Sequence, residues 1–165
     1  MKKLYLIRHA KSSWSNHELE DIERPLNDRG KHDAPRMGKY LAHRAEKAEI
    51  IFSSPALRAI STARAIQENW KSPSKIEEKV KLYEGNTSEI LDLINQIEDT
   101  LESVGLVFHN PMITQLVNYL TNSDIPNIPT AGLAIIQFNK ECWSEIEVGT
   151  GNLLDFAVPK ELKIN

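Results

Sequence analysis

The sequence has little cysteine, no surplus of positive charge and no long apolar segment, and each shortage excludes a class of protein. Cys142 is the single cysteine in 165 residues, so the chain can form neither an intrachain disulfide nor a thiolate metal cluster. The formal net charge of −3 argues against a protein whose main task is to bind nucleic acid. No apolar stretch approaches the ~20 residues that span a bilayer, and no signal-peptide cleavage pattern follows Met1. We therefore expect a cytoplasmic protein with no nucleic-acid or membrane partner.

The composition is that of an ordinary globular protein. Hydrophobic residues make up 41% of the chain and charged residues 26%, and no linker or internal repeat divides it. The length therefore fits a single domain over residues 1–165 better than two domains. Strand-like and helix-like segments alternate, which indicates an α/β sheet with helices on both faces.

Apolar runs and helical periodicities predict the individual elements. Buried strands are expected at residues 4–7, 49–52 and 104–108, with a weaker strand at 75–82. Helices are expected at 28–45, 56–70, 88–101 and 111–120, and Ser88 is the expected cap of the third. The remainder predicts two or three antiparallel strands among residues 133–138, 142–148 and 153–158.

Three of the predicted strand ends carry side chains that suit an anion. Arg8 and His9 follow the first strand, Arg58 lies in the first turn of the helix after the second strand, and His109 follows the fourth strand. The carboxyl ends of parallel strands meet along one edge of a sheet, so these groups can converge. The helix that begins near Pro111 would direct its positive end to the same edge. The pattern predicts a pocket for a phosphate group.

The chemistry of such a pocket follows from its residue types. A neutral imidazole has a lone pair near pH 7, so His9 can accept a phosphoryl group and become a covalent phosphohistidine. Arg8 and Arg58 can donate forked hydrogen bonds to the transferring oxygens, and His109 can add one more. Water then attacks the phosphoenzyme and releases inorganic phosphate. No metal is expected, since two guanidiniums supply the positive charge that magnesium supplies elsewhere.

Three segments, in this order, resemble the signatures of the histidine phosphatase superfamily, which includes the cofactor-dependent phosphoglycerate mutases and the acid phosphatases. They are Arg8-His9-Ala10, residues 53–59 with Thr62-Ala63 after them, and Phe108-His109-Asn110-Pro111. The short chain looks closest to the SixA-type phosphohistidine phosphatases. Further features of this likeness are Arg24-Pro25-Leu26, Arg29-Gly30 and Pro129-Thr130.

The resemblance implies a fold and a set of roles. The fold is a three-layer α/β/α sandwich with a mixed, mostly parallel central sheet, as in the phosphoglycerate mutases. His9 is then the nucleophile, Arg8 and Arg58 bind phosphate, and His109 completes the pocket. The resemblance implies neither a metal nor a cofactor.

Four further residues are candidates for contacts with the substrate. Many members of the superfamily carry Leu-x-Glu after a strand, and Leu82-Tyr83-Glu84 matches that pattern, so Glu84 is a candidate general acid. Lys11 and Ser15, in the loop after the first strand, and Asn110, beside the second histidine, are candidates for substrate binding. Lys11 is equally well explained as a solvated loop charge.

The loop at residues 12–26 is polar and acidic. Its carboxylates are Glu18, Glu20, Asp21 and Glu23. An exposed acidic loop at the mouth of the pocket would repel highly acidic substrates or favour basic ones. Arg24 is expected to pair with an acidic neighbour rather than with substrate, and Trp14 is expected to anchor the loop.

Two classes of function remain open. The first is a metal-independent phosphatase that works through a phosphohistidine on His9. Its substrate would be a phosphohistidine on a partner protein, because the short chain leaves no sizeable insertion to close over a small molecule. Within the same class, a small phosphate ester is the alternative substrate and a phosphomutase the less favoured reaction. The second class is a catalytically silent module that binds phosphate or a phosphoprotein.

Overall fold

Six strands form one mixed sheet at the centre of the protein, whose computed structural model describes residues 1–73 and 75–163. The strands are β1 (Lys2–Arg8), β2 (Ile50–Ser53), β3 (Ile76–Glu78), β4 (Ser103–Phe108), β5 (Leu133–Phe138) and β6 (Gly151–Ala157). Their order across the sheet is β3-β2-β4-β1-β5-β6. The first four strands run parallel, β5 runs antiparallel to β1, and β6 runs antiparallel to β5. The expected mixed, mostly parallel sheet is confirmed.

Within the described residues, five helices connect the strands. They are α1 (Asp28–His43), α2 (Leu57–Trp70), α3 (Lys81–Glu84), α4 (Thr87–Asn95) and α5 (Met112–Thr121). Short 3₁₀ turns lie at Asp21–Glu23, Trp143–Glu145 and Pro159–Glu161. None of the helices in the described part of the chain combines the length and apolar character that a membrane crossing requires.

The sheet is covered on both faces, and strand β1 shows how. Leu4 and Leu6 point to the face that packs against α4 and α5, whereas Tyr5 and Ile7 point to the face that packs against α1 and α2. Successive side chains of a strand point to opposite faces, so an uninterrupted apolar run is what a doubly covered strand requires. The three-layer α/β/α sandwich is confirmed.

Two segments differ from the sequence prediction around β3 and α4. The strand expected at residues 75–82 ends at Glu78, and the chain then turns into the short helix α3. This edge strand pairs only with β2, so few ladder bonds hold it in extended form. Helix α4 begins after Asn86 rather than Ser88 and ends at Asn95. The Asn86 side chain accepts a hydrogen bond from the Glu89 N–H, and Glu89 accepts one from the Asn86 N–H, which completes a capping box.

The third difference is at residues 142–148, where a strand is not formed. This segment contains a 3₁₀ turn at Trp143–Glu145 instead. Trp143 and Ile146 are both buried, and their spacing of three residues suits a helical turn rather than the alternation of a strand. The Trp143 indole donates a hydrogen bond to the Leu101 carbonyl, which holds the turn against the sheet.

Candidate active site

The carboxyl ends of β1, β2 and β4 open into one cleft of about 520 Å³. In the sheet register Arg8 pairs with Phe108 and Ser53 with Val107, so the residues that follow these strands emerge side by side. The cleft is lined by residues at the ends of β1 and β4, by the first turn of α2, by the loop after β1, by α3 and the start of α5, and by Thr130. The structure thus brings together Arg8, His9, Arg58 and His109, which we call the floor of the cleft.

His9 is held in one tautomer by the backbone. Its ring is 8% exposed, and Nδ1 lies 2.8 Å from the Ala10 carbonyl oxygen. Because a carbonyl oxygen can only accept, Nδ1 carries the hydrogen and Nε2 keeps its lone pair. The Ala10 N–H donates to Thr62 Oγ1 at 2.9 Å, and the Thr62 hydroxyl donates to the Arg58 carbonyl at 2.7 Å. Thr62 therefore ties the residue after His9 to helix α2.

The surroundings of His9 keep its imidazole neutral. Burial lowers the pKa of His9 to about 4, and the charges of Arg58, Arg8 and Arg24 act in the same direction. The hydrogen bond to the Ala10 carbonyl opposes this shift without cancelling it. A neutral imidazole with a free Nε2 lone pair is the form that can attack phosphorus.

His109 lies beside His9 and is also neutral. The two ring centroids are 5.0 Å apart, and His109 Nε2 is hydrogen-bonded to Ser54 Oγ at 2.8 Å. Burial lowers the pKa of His109 to about 3, and His9 and Arg58 add to this effect. The backbone of His109 follows β4, and its ring is hydrogen-bonded to Ser54, which follows β2. These two attachments place a second imidazole on the floor.

Arg8 has an unused hydrogen-bond donor. Its Nη1 donates to the Ile128 carbonyl at 2.9 Å, but its Nε is buried and finds no partner among residues 1–73 and 75–163. A buried donor left unpaired costs about 1–3 kcal/mol. Because Arg8 also lines the cleft, its guanidinium is a candidate donor to an anion that binds there.

A single carboxylate, Asp21, organises the outer part of the cleft. Arg58 donates through Nη1 to the Asp21 carbonyl at 2.7 Å and through Nη2 to Asp21 Oδ2 at 2.9 Å. Tyr83 donates its hydroxyl to the same Oδ2 at 2.8 Å, and Arg24 donates to Oδ1 at 3.0 Å. Burial raises the pKa of Asp21, but the hydrogen bonds from Tyr83 and the two guanidiniums outweigh it and lower that pKa to about 2. Asp21 is therefore ionised at neutral pH.

Trp14, Asp21 and Tyr83 form what we call the mouth of the cleft. Trp14 is 66% exposed, and its ring covers the Arg24 guanidinium at 3.2 Å from the ring centroid. Arg24 also donates to the Ser12 hydroxyl and to the Ser13 carbonyl, so it fixes the loop after β1. The predicted pairing of Arg24 with an acidic neighbour is confirmed.

The other sequence candidates fall into two groups. Lys11 and Asn110 line the cleft. Ser15 is exposed, hydrogen-bonds to Ser13 and lies outside the lining, where Ser12 stands instead. Glu84 is exposed and also lies outside the lining.

The position of Glu84 follows from the change of strand to helix described above. In a helix successive side chains point about 100° apart, and in α3 it is Tyr83 that faces the cleft. The Tyr83 ring packs edge-on against His109, with 5.6 Å between the centroids. The sequence analysis did not predict Asp21 and Tyr83 as cleft residues. It did identify the segments that contain them, namely the acidic loop and the Leu-Tyr-Glu pattern.

The described residues hold no group of three or more His, Cys, Asp or Glu side chains placed to bind a metal ion. The positive charge of the cleft comes from three guanidiniums and the Lys11 ammonium. Burial lowers the pKa of Arg8. A guanidinium nevertheless stays protonated in proteins. The arrangement can therefore bind an anion, and it presents a nucleophilic nitrogen to that anion.

Comparison with known proteins gives the same reading. A family model described as histidine phosphatase superfamily (branch 1) matches residues 4–90, just over half of the chain. An uncharacterized protein of Mycobacterium leprae is 27% identical over 93% of this chain and 100% of its own length. Among solved structures, the "putative phosphohistidine phosphatase SixA" from Agrobacterium tumefaciens superposes with a TM-score of 0.82 and 27% identity, covering 96% of this chain and 98% of that one.

A second solved structure extends the agreement in fold. The protein histidine phosphatase SixA complexed with tungstate superposes with a TM-score of 0.79 and 22% identity, over 98% of this chain and 99% of that one. Together with the matched family model, these similarities support phosphatase activity. The chain belongs to the histidine phosphatase superfamily.

Proposed function

We propose that this protein is a metal-independent phosphatase that transfers a phosphoryl group from phosphohistidine on a partner protein to His9 and then to water. The observation that carries the proposal is the tautomer of His9. Its Nδ1–H is committed to the Ala10 carbonyl, so Nε2 is free to attack, and burial keeps the ring neutral. Inorganic phosphate is the product.

In the first step His9 Nε2 attacks the phosphorus atom, and the bond between phosphorus and the leaving group breaks. The transferring oxygens carry developing negative charge, which Arg58 and the unpaired Nε–H of Arg8 would stabilise. Both Nη groups of Arg58 donate hydrogen bonds to Asp21, so Arg58 can donate to the transferring oxygens with both groups only if it gives up some of these bonds. The phosphorylated His9 ring is a cation, and the Ala10 carbonyl accepts its remaining N–H.

In the second step water attacks phosphorus, and the electron pair of the P–N bond returns to His9 Nε2. His9 leaves as a neutral imidazole because its other nitrogen keeps its hydrogen throughout. The same guanidiniums act in both steps, since the charge on the transferring oxygens is the same. Lys11 and Asn110 line the cleft and serve as additional substrate contacts.

Two features favour a protein substrate. The cleft continues past Arg8 and Asn110 into a second depression of about 590 Å³, bordered by the start of α5 and by Pro126 and Asn127. This surface could receive polypeptide on either side of a phosphorylated side chain. The similar solved structures include a protein histidine phosphatase, which makes the same substrate class the first to test.

The leaving group also favours phosphohistidine over an ordinary ester. An alkoxide needs a proton from a general acid, but Glu84 lies outside the cleft and Asp21 is ionised. A protonated phosphoimidazole leaves as a neutral ring without such an acid. The small phosphate ester remains the alternative substrate, and a phosphate-binding module without catalysis is the non-enzymatic alternative.

The test is a comparison of substrates in excess EDTA. We expect kcat/KM for a phosphohistidine-bearing protein to exceed that for a panel of sugar and nucleotide phosphates by orders of magnitude. His9→Ala should lower the activity by at least about 10³-fold, as expected for loss of a nucleophile, whereas His43→Ala on the exposed side of α1 should retain it. A preferred ester would replace the proposed substrate, loss of activity with EDTA would indicate a metal enzyme, and no activity in either protein would leave the binding module.

A further inference from the structure

Asp21 is the single carboxylate among the described residues that line the cleft. The remaining charged side chains of the lining are cationic, namely Arg8, Lys11, Arg24 and Arg58. A fixed negative charge in a site for phosphate weakens phosphate binding, so its presence requires an explanation in terms of another part of the substrate.

The position of Asp21 places it on the side of the leaving group. His9 is 8% exposed on the floor, whereas the Asp21 side chain is 50% exposed at the mouth. Arg58 contacts Asp21 directly, and its charge lowers the pKa of His9, so Arg58 is near both residues. Phosphoryl transfer needs the attacking and leaving groups roughly in line with phosphorus. A phosphoryl group that His9 attacks from the floor must therefore leave towards the mouth.

Asp21 also has an acceptor position to spare. A carboxylate offers roughly four acceptor positions. Within the described residues, Oδ2 accepts from Arg58 and Tyr83, and Oδ1 accepts from Arg24. Burial and the bond to Asp21 raise the pKa of Tyr83, so this hydroxyl remains a donor. Oδ1 can thus accept one more N–H from a ligand while all of its present donors stay in place.

We propose that the Asp21 carboxylate binds the ring N–H of the substrate's phosphorylated imidazole and thereby selects phosphohistidine over phosphate esters. This inference rests on the proposed function. Asp21 touches the leaving group and not the transferring oxygens, so it is a specificity-determining residue. A carboxylate that pairs with an N–H of a cationic ring attracts that ring, whereas the uncharged or anionic leaving groups of phosphate esters offer it no such cation.

The reaction balances with this assignment. In the reactive substrate one ring nitrogen carries the phosphoryl group and the other carries a hydrogen that Asp21 accepts. His9 Nε2 forms the new P–N bond, and the electron pair of the old P–N bond stays on the substrate's ring nitrogen. The substrate ring therefore leaves as neutral imidazole with its N–H unchanged, and no proton transfer is needed. Asp21 stabilises the protonated ring on one side of phosphorus, as the Ala10 carbonyl does for His9 on the other.

The assignment predicts a signature in the pH profile. Pairing with a carboxylate raises the pKa of the substrate's ring N–H in the complex, so the reactive form persists to higher pH. The charged and titratable groups that face Asp21 are Arg24 from its own loop, Arg58 from α2 and Tyr83 from α3, with His109 behind Tyr83. The two histidines of the floor are neutral above pH ~5, so they do not titrate in the range where the substrate ring loses its proton.

The experiment compares wild type, Asp21→Asn and the control Glu23→Gln, which removes the same charge from the same 3₁₀ turn outside the cleft lining. Two substrates are used, a phosphohistidine-bearing protein and p-nitrophenyl phosphate, whose leaving group needs no partner. Asp21→Asn should lower kcat/KM for the phosphohistidine protein by about 10- to 100-fold, the range for loss of a charge-assisted hydrogen bond. It should lower p-nitrophenyl phosphate hydrolysis by much less, so that the ratio of the two kcat/KM values falls by about 10-fold or more. In the pH profile of phosphohistidine hydrolysis, Asp21→Asn should move the basic limb to lower pH. The control Glu23→Gln should match wild type on both substrates.

Each contrary outcome has one meaning. Equal losses on both substrates, or an unchanged pH limb, would show that Asp21 only holds Arg58 in place and would overturn the inference. The rate of the Asp21→Asn variant on the aryl phosphate shows whether the variant is folded and whether the floor residues still work. A second variant, Asp21→Ser, must also lose more activity on the phosphohistidine protein than on the aryl phosphate. Failure of the proposed function is a separate result, since wild type itself would then not hydrolyse the phosphohistidine protein.

Discussion

The floor and the mouth of the cleft are built in different ways, although they face the same ligand. Arg8 ends β1, His9 and His109 follow β1 and β4, and Arg58 lies in the first turn of α2. His9, Arg58 and His109 are buried and Arg8 is half-buried, and each is anchored by a backbone carbonyl or by a hydroxyl. The mouth residues come from the loop after β1 and from the short helix α3, and they are partly or mostly exposed. The difference suggests a division of labour: the sheet edge positions the groups for phosphoryl transfer, and the loops decide which leaving group is accepted.

The largest expected effect comes from a floor residue. Arg58→Ala should lower kcat/KM by about 10²- to 10³-fold on any substrate, since it removes a donor that faces the transferring oxygens. Arg64→Ala, on the exposed side of the same helix, should change it by no more than about twofold. Steady-state kinetics on p-nitrophenyl phosphate would measure both. If only one substrate lost activity, Arg58 would act on the leaving group and not on the transferring oxygens.

As the pH falls, protonation of the floor histidines should lower the free energy of unfolding before protonation of Asp21 at the mouth does. The pKa values of His9 and His109 in the folded protein, about 4 and about 3, lie below the ordinary ~6.5 of an unfolded chain. The unfolded state then binds more protons, so the stability from the neutral rings is complete above pH ~6.5 and is lost as pH falls towards 4. Asp21, whose pKa in the folded protein is about 2, stabilises the fold fully above pH ~4, and this contribution is lost only as the pH falls from ~4 towards 2.

Urea denaturation at fixed ionic strength between pH 7.5 and 4 would show this as a falling free energy of unfolding. The fall should be smaller in His109→Gln than in wild type, whereas His43→Gln should match wild type because its side chain is exposed on α1. An equal fall in all three proteins would mean that the buried rings do not govern the acid response.

A smaller effect is expected at the link between the floor and α2. Thr62→Val keeps the shape of the side chain but leaves the buried Ala10 N–H without its acceptor. We expect a loss of about 1–3 kcal/mol in the free energy of unfolding, together with reduced kcat, because the loop that follows His9 is no longer tied to α2. Ser61→Ala, at the preceding and less buried position, is the matched control. If stability falls while kcat is unchanged, Thr62 supports the fold and not the orientation of His9.

The smallest effect is expected at Glu84. Glu84→Gln should change ester and phosphohistidine hydrolysis by less than about twofold, because its side chain is exposed outside the cleft. Tyr83→Phe, one position earlier, removes a hydrogen bond to Asp21 and should have the larger effect. A loss of ester hydrolysis with Glu84→Gln alone would restore the general acid expected from the sequence pattern.

The convergence of the floor was predictable because it depends on strands that are apolar throughout. Short, uninterrupted apolar runs such as Leu4–Ile7 and Val104–Phe108 favour strands covered on both faces, and parallel strands present their carboxyl ends together. The mouth was not predictable to the same degree. Its central contact joins Asp21 and Arg58 across 37 positions of sequence, and no local periodicity encodes such a pair.

The sequence pattern also did not show that Glu84 lies outside the cleft lining, again because the answer depends on tertiary structure. Residues 75–82 contain too few apolar side chains to distinguish an edge strand from a strand that turns into a single helical turn. The choice depends on how far β3 can pair with β2, which is a tertiary property. Whether Tyr83 or Glu84 faced the cleft therefore could not be decided from the local pattern.

The account depends on a covalent phosphoryl group on His9, and trapping it is the most direct test. Wild-type protein would be mixed with a ³²P-labelled phosphohistidine protein, quenched in base within milliseconds and mapped by peptide mass spectrometry. We expect label on the peptide that contains His9, stable to base and lost in acid, and none in His9→Ala. Label on another residue, or hydrolysis at full rate with no labelled intermediate under any quench condition, would contradict the account.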